Sequence, residues 1–341
     1  MLLSEITALR GPSGWEHEVR TALRAEAEQL LAGCEGARVY SDTMGNLYAH
    51  RPGTDKSKKH VMLCAHMDEV GFIIRFATDE GLLRFDCVGG VDPRVIASRR
   101  VLVGEKRIPG VIGFKAVHLM TDEEYEKAPG YDMLSIDIGA TSKDEAEKLC
   151  PPGTYATFDS GYVEFGDGFA KAKALDDRVG CLVLLHALSS SDYAGDMTCA
   201  FTVQEECGLR GAKVAANRVK PDLALILEGT TSNDMGDVPP HLTVTNCGEG
   251  AVISVMDRSA IMNHNLRELA MTTAKKRGIP AQYKRYVAGG TDAGPIHQSN
   301  GGVPCLVMAV PCRYIHSPAS VCKLSDIEAL KALTMALLEE I

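Results

Sequence analysis

The sequence predicts an α/β protein in which one domain, built from both ends of the chain, is interrupted by a small β-rich insert. Three observations carry that expectation. Short apolar runs alternate with helical patterns up to about residue 70 and again from about residue 167, and such alternation implies a sheet covered by helices on both faces. Between them, residues 71–166 read as short strand-like pieces broken by glycines and turn signals, as in VGGVDPRVIASRRVLVGEKRIPGVIG. Finally, 341 residues suffice to bury a sizeable core. The predicted division is therefore 1–70 together with 167–341 against 71–166.

In order along the chain, WEHEVRTALRAEAEQLLAG carries apolar residues at helical spacing, with Ser13 as a candidate N-cap and Gly33 as the stop. ARVYSDTMGNLYAHRPG reads as two short strands around Met44-Gly45-Asn46, and VMLCAHMDE as a buried strand with polar residues at its end. Within the insert only TSKDEAEKL is clearly helical. A helix then begins near Asp176 and runs through VGCLVLLHALSS. Strand TCAFTVQEE, helix LRGAKVAANRV and strand PDLALILEG follow. Strand AVISVMD, helix NHNLRELAMTTAKKRG and strand AQYKRYV come next, and strand VPCLVMAVP precedes a last helix, LSDIEALKALTMALLEE.

Composition narrows the function. A formal charge of −9, from 36 basic and 45 acidic residues, argues against nucleic acid or an anionic membrane as partner. No apolar run reaches the roughly 18 residues of a membrane span, and Glu5 and Arg10 interrupt what would be a signal peptide. The 11 cysteines are scattered without a CxxC, which fits reduced thiols in a cytoplasmic protein.

Ligands of open α/β sheets bind beyond the carboxyl ends of the strands. Five segments deliver metal-type side chains to such ends: His66 and Asp68 after VMLCA, Glu205 and Glu206 after CAFTVQ, Glu228 after LALIL, His316 after VPCLVMAVP, and Asp176 with Asp177 opening the helix after KAKAL. Taken singly each has a bland reading: an isolated HxD, a solvated Glu pair, a helix cap, a surface histidine. Together they would be costly to bury without a cation. Two histidines with several carboxylates suit divalent zinc, cobalt or manganese. Asp68, two residues beyond His66, can orient the imidazole. Of the adjacent Glu205 and Glu206, one can ligate while the other stays free as a general base.

The segments AHMDEVGF (65–72), KALDDRVG (173–180), QEECGLRGA (204–212), GGTDAG (289–294) and PCRYIHSP (311–318) resemble, in order and spacing, the tetrahedral-assembly aminopeptidases of metallopeptidase family 42. The resemblance spans nearly the whole chain. It implies a zinc-exopeptidase fold, a mixed sheet flanked by helices, whose insert is a small β-barrel-like dimerisation module. It implies two divalent metal ions, zinc first with cobalt or manganese as alternatives. Asp176 would bridge them, with His66 and Glu228 on one ion, Glu206 and His316 on the other, Glu205 as general base and Asp68 supporting His66. Gly289, Gly290, Thr291 and Asp292 would form a substrate-pocket loop, although a plain turn reads equally well from the residues. The implied activity is removal of the first residue from short peptides with a free amino terminus, by a water bridging the ions, in dimers that assemble to a dodecamer. In two places the chain departs from the family pattern: Glu228 stands where Asp is common, and Cys207 follows the Glu pair where an aliphatic residue is commoner. Cys207 is read as packing, a thiolate ligand being the alternative. Arg258 is read as a surface arginine, a preference for acidic side chains being its alternative role. The rival activities are a metal-dependent deacylase or carboxypeptidase and a glycoside hydrolase. The latter does not need the two histidines and would have a single Trp for sugar stacking. A non-enzymatic rival is a shell protein with a vestigial site.

Overall fold

A computed structural model describes residues 1–236 and 238–341. The chain opens with helices α1 (Leu3–Ala8) and α2 (His17–Leu30) and strands β1 (Arg38–Ser41), β2 (Leu47–Arg51) and β3 (Val61–His66). Next come β4 (Gly71–Ala77), β5 (Leu83–Val88), α3 (Pro93–Ile96), β6 (Arg100–Val103), β7 (Ile108–Phe114), α4 (Asp122–Glu126), β8 (Leu134–Asp137), α5 (Lys143–Leu149) and β9 (Tyr155–Phe158). Then follow β10 (Val163–Phe165), β11 (Phe169–Ala172), α6 (Leu175–Ser190), β12 (Met197–Thr202), α7 (Arg210–Val219), β13 (Leu223–Ser232) and β14 (Ala251–Ile253). The chain closes with α8 (His264–Arg277), β15 (Ala281–Tyr283), α9 (Ala293–His297), β16 (Cys305–Arg313), β17 (Ser320–Lys323) and α10 (Leu324–Glu340).

The large sheet is mixed, in the order β1-β2-β12-β3-β13-β16-β17-β11-β10, with β14 joining β16 and β15 joining β14. Its centre, β12-β3-β13-β16, is parallel and buried on both faces, as the continuous apolar runs VMLCA and LALIL require. Helix α6 is buried almost all round, because it is sandwiched between the sheet and α1, α2 and α10. Helices α7 and α9 pack on each other and on the sheet.

Strands β4-β5-β8-β7-β6-β9 close into a separate barrel. Its core is its own: Phe72 meets Phe85 and Phe158 edge-on at 5.1 and 5.2 Å between ring centres, and Leu83, Ile112 and Ile136 fill the remainder. Strand β10 lies inside the stretch 71–166 yet pairs with β11 in the large sheet, so the barrel strands themselves end at Phe158.

Several local expectations shift. Helix α2 starts at His17, and Ser13 does not cap it. The Ser13 hydroxyl instead donates to Asp68 Oδ2 at 2.5 Å. Strand β12 stops at Thr202, which leaves Glu205 and Glu206 in the turn beyond it. The short α1 and α9 carry too few periodic positions to stand out in the sequence. Among the described residues no helix is long and apolar enough to cross a membrane.

Candidate metal centre

Parallel register brings the predicted residues to one edge. Thr202, the last residue of β12, lies opposite His66, the last of β3. Ile226 of β13 lies opposite Cys64, so Glu228, two residues on and on the same face, comes level with His66. Asp176 sits in the first turn of α6 and His316 in the loop joining β16 to β17. The turn after β12 is held by the amides of Gly208 and Leu209, which donate to the Glu205 carbonyl at 2.9 and 2.8 Å.

Asp176 faces both histidines. Its Oδ1 is 3.3 Å from His66 Nε2 and its Oδ2 is 3.6 Å from His316 Nε2. Glu228 Oε2 lies 3.6 Å from His66 Nε2, and Glu206 Oε2 lies 3.3 Å from His316 Nε2. Each histidine thus has one carboxylate of its own and shares Asp176 with the other.

A second layer fixes these side chains. His66 Nδ1 is 3.2 Å from the Asp68 carbonyl and 3.4 Å from its Oδ1, which leaves Nε2 for the site. Asp68 also accepts the amides of Glu205 and Glu206 at 3.0 and 3.2 Å. One buried carboxylate therefore ties β3 to the Glu pair. His316 Nδ1 is 2.7 Å from the carbonyl of Gly90, which belongs to the barrel segment. His316 itself has φ 58°, a left-handed backbone uncommon outside glycine and held here by that contact and the surrounding loop. Asp177 is fully buried and accepts the amides of Gly180 and His66 at 2.8 and 3.2 Å.

The electrostatics is that of a carboxylate cluster with too few cations. Burial pushes Glu205 and Glu228 well above the carboxylate range, and Glu206 to about 7. Burial would also raise Asp176, but the two imidazoles hold it below its ordinary value. Burial opposes charge on His316, yet the Glu206 and Asp176 carboxylates facing it raise it to about 9.

These residues fit divalent metal. Ligand atoms of His66, Asp176 and Glu206, and separately of His66, Asp177 and Glu228, all lie within 4.8 Å of one another. Glu228 Oε1 is buried without a hydrogen-bond partner among the described residues, an expensive arrangement that a cation would relieve. Asp177 belongs to the second layer, because both of its oxygens already accept amides. The sequence places it beside Asp176 at the start of the same helix, without a ligand role of its own.

The site floors a cavity of about 870 Å³. Gly289, Gly290 and Thr291 line it. Asp292 is fully buried and is not one of the lining residues; its Oδ2 accepts from the Thr202 hydroxyl and its Oδ1 has no partner among the described residues. Arg258 is exposed and does not line the cavity. Gly90, Asp92, Val95 and Arg99 reach it from the barrel side, a contribution that sequence spacing does not reveal. Cys207, a free thiol, is not one of the lining residues.

A family model described as M42 glutamyl aminopeptidase matches residues 45–333. The chain belongs to that family. Over 351 residues this M42 chain is 30% identical to the lysyl aminopeptidase of Pyrococcus furiosus, with 100% of this chain and 96% of that one covered. The TET1 peptidase of Pyrococcus horikoshii, which can assemble into a tetrahedron or a large octahedral shell, superposes with a TM-score of 0.85 at 34% identity, covering 99% and 98% of the two chains. A Thermotoga maritima structure titled endoglucanase superposes at 0.81 with 36% identity, covering 100% and 97%. The M42 chain is accordingly an aminopeptidase, a hydrolase of peptides from a metal-dependent family, and the resemblance drawn from its motifs is borne out. So is the mixed α/β fold with its inserted barrel.

Proposed function

We propose that this M42 aminopeptidase uses two divalent metal ions per subunit, zinc first and cobalt or manganese as alternatives, to release the first residue of short peptides with a free amino terminus. The observation that carries the reading is Asp176, whose two oxygens face two different histidines at 3.3 and 3.6 Å, each histidine backed by a glutamate. His66 and Glu228 would hold one ion, His316 and Glu206 the other, with Asp176 shared. When bound, such a pair supplies Lewis acidity toward the scissile carbonyl and lowers the pKa of the attacking water.

The protein's own groups do the remainder. Asp68 and Gly90 keep both imidazoles turned with Nε2 inward. Glu205, fixed beside Glu206 by the amide contacts to Asp68 but in no ion pair among the described residues, takes the proton of the attacking water and passes it to the leaving nitrogen. The carboxylate-rich floor favours the substrate's ammonium terminus, which confines cleavage to the first peptide bond. The two histidines have no part in glycoside hydrolysis by paired carboxylates, so the likeness to a Thermotoga maritima endoglucanase does not favour sugar cleavage here.

The eleven free cysteines suit a reducing cytoplasm. Val111 and Phe114 of β7, Val117 and Leu119 beyond it and Tyr125 of α4 are exposed apolar side chains; they support pairing of barrels, and through the likeness to the Pyrococcus horikoshii peptidase, assembly of dimers into a dodecamer. Light scattering showing a dilution-stable monomer would end that part of the reading.

The deciding experiment removes metal, restores zinc, cobalt or manganese separately, and offers peptides with free and acetylated amino termini to wild type and Glu205→Gln. Metal-dependent release of the first residue from free-amine peptides is expected. The variant should keep its metal and lose about 10²–10⁴ in kcat. Cleavage confined to acetylated peptides would assign a deacylase instead.

A further inference from the structure

Family membership leaves the preferred first residue open, since the family description reads glutamyl and the Pyrococcus furiosus relative is a lysyl aminopeptidase. A residue that played no part in the sequence reading bears on the choice. Lys284 follows directly on β15, where its amide donates to the Ile253 carbonyl at 3.0 Å and fixes the side chain beside β14. It is only 8% exposed, yet it lines the cavity above the metal centre together with Glu228, Thr230, Thr231 and Thr291.

An ammonium carries three donors. Lys284 Nζ uses one, on the Ala288 carbonyl at 3.0 Å. The nearby Asp257 forms no ion pair with it; its Oδ1 accepts from Ser259 and Ala260 and its Oδ2 from the Thr291 hydroxyl. No ion pair to Lys284 forms among the described residues. Burial accordingly lowers its pKa, partly offset by the Asp257, Glu228 and Asp176 carboxylates. A mostly buried cation with spare donors facing a cavity is costly alone and gains most from an anionic guest. The other cavity cation outside the histidines, Arg99, is exposed and therefore screened.

We infer that Lys284 pairs with the side-chain carboxylate of the substrate's first residue, so that peptides beginning with Glu or Asp are preferred and those beginning with Lys or Arg are disfavoured. This rests on the aminopeptidase reading of the same site. A carboxylate at the far end of a dipeptide has the same chemistry, so the probes are 4-nitroanilides of Glu, Leu and Lys, which have no peptide carboxylate.

With metal restored, wild type should show kcat/KM for the Glu anilide at least about tenfold above that for Lys. Lys284→Met should lower the Glu-to-Leu ratio by roughly 10–100-fold, the equivalent of one hydrogen bond to a charged group. Lys284→Arg should keep the Glu preference, and Lys284→Glu should move it toward Lys. A wild-type Glu-to-Lys ratio of one or below overturns the inference while leaving the aminopeptidase reading intact, and this holds even if the variants fail to fold. A loss in Lys284→Met that is equal for all three anilides also overturns it, by assigning the lysine a structural role. Absence of turnover on every free-amine anilide and peptide overturns both.

Discussion

Glu69, just beyond the end of β3, and Glu228, on the neighbouring parallel strand β13, are both buried carboxylates, 2% and 3% exposed, and the fold treats them in opposite ways. Glu69 is closed in by its own cations. Lys173 Nζ donates to its two oxygens at 2.7 and 2.9 Å, Arg178 Nη2 approaches at 3.4 Å, and the Gly11 amide donates at 3.0 Å. Those cations in turn bind the Ile6, Leu9 and Met67 carbonyls, which staples the N-terminal arm to the turn after β3 and to the start of α6. Glu228 has a single imidazole at 3.6 Å and one oxygen without a partner among the described residues. The difference separates a charge that holds the scaffold from one kept in reserve for something the chain does not itself supply.

The contrast can be broken most severely at Glu69. Glu69→Gln leaves two buried cations without a counter-charge, and the metal-stripped protein should lose about 3–5 kcal/mol of unfolding free energy in urea. Glu228→Gln should behave differently. Without metal its stability is expected not to fall, whereas the gain on adding zinc should shrink by about 1–3 kcal/mol, the equivalent of a 10–100-fold weaker site. Thermal unfolding with and without zinc measures this, and a stripped Glu228→Gln as damaged as Glu69→Gln would erase the distinction.

The smallest effect sharpens the picture within the closed network, where two cations share one carboxylate. Lys173→Met still leaves Arg178 on Glu69 and should change stability at neutral pH by about 1 kcal/mol or less. Burial holds the Lys173 ammonium down at about 8 against an ordinary 10.5, despite the pull of Glu69. Between those values the unfolded chain binds more protons than the folded one, so wild type should gain stability as pH rises from about 8 toward about 10.5. Urea midpoints at the two ends of that window should differ in wild type and converge in Lys173→Met.

The large sheet was legible because short apolar runs such as VMLCA and LALIL suit buried strands, and the ligand candidates because parallel register puts residues following such runs on one edge. His66, Glu228, Glu206, Asp176 and His316 come together on that account. What escaped the sequence reading comes from contacts between distant segments. Ser13 looks like a helix cap until the N-terminal arm is laid beside Asp68. Lys284 looks like one more residue of a strand until β15 is seen to end just before it. Asp292 reads as part of a glycine-rich pocket loop, but α9 begins at the next residue and the carboxylate is drawn under the sheet edge toward Thr202. Gly90 carries no chemical signal at all, since only its carbonyl is used.

That carbonyl means the barrel is not an interchangeable cassette. An insert of a different lineage, grafted between β3 and β10, would have to reproduce the course of one short loop to within hydrogen-bond tolerance, or His316 would be free to spin about its ring axis. Drift in sequence is therefore open to the outer strands of the module and closed to the few residues after β5.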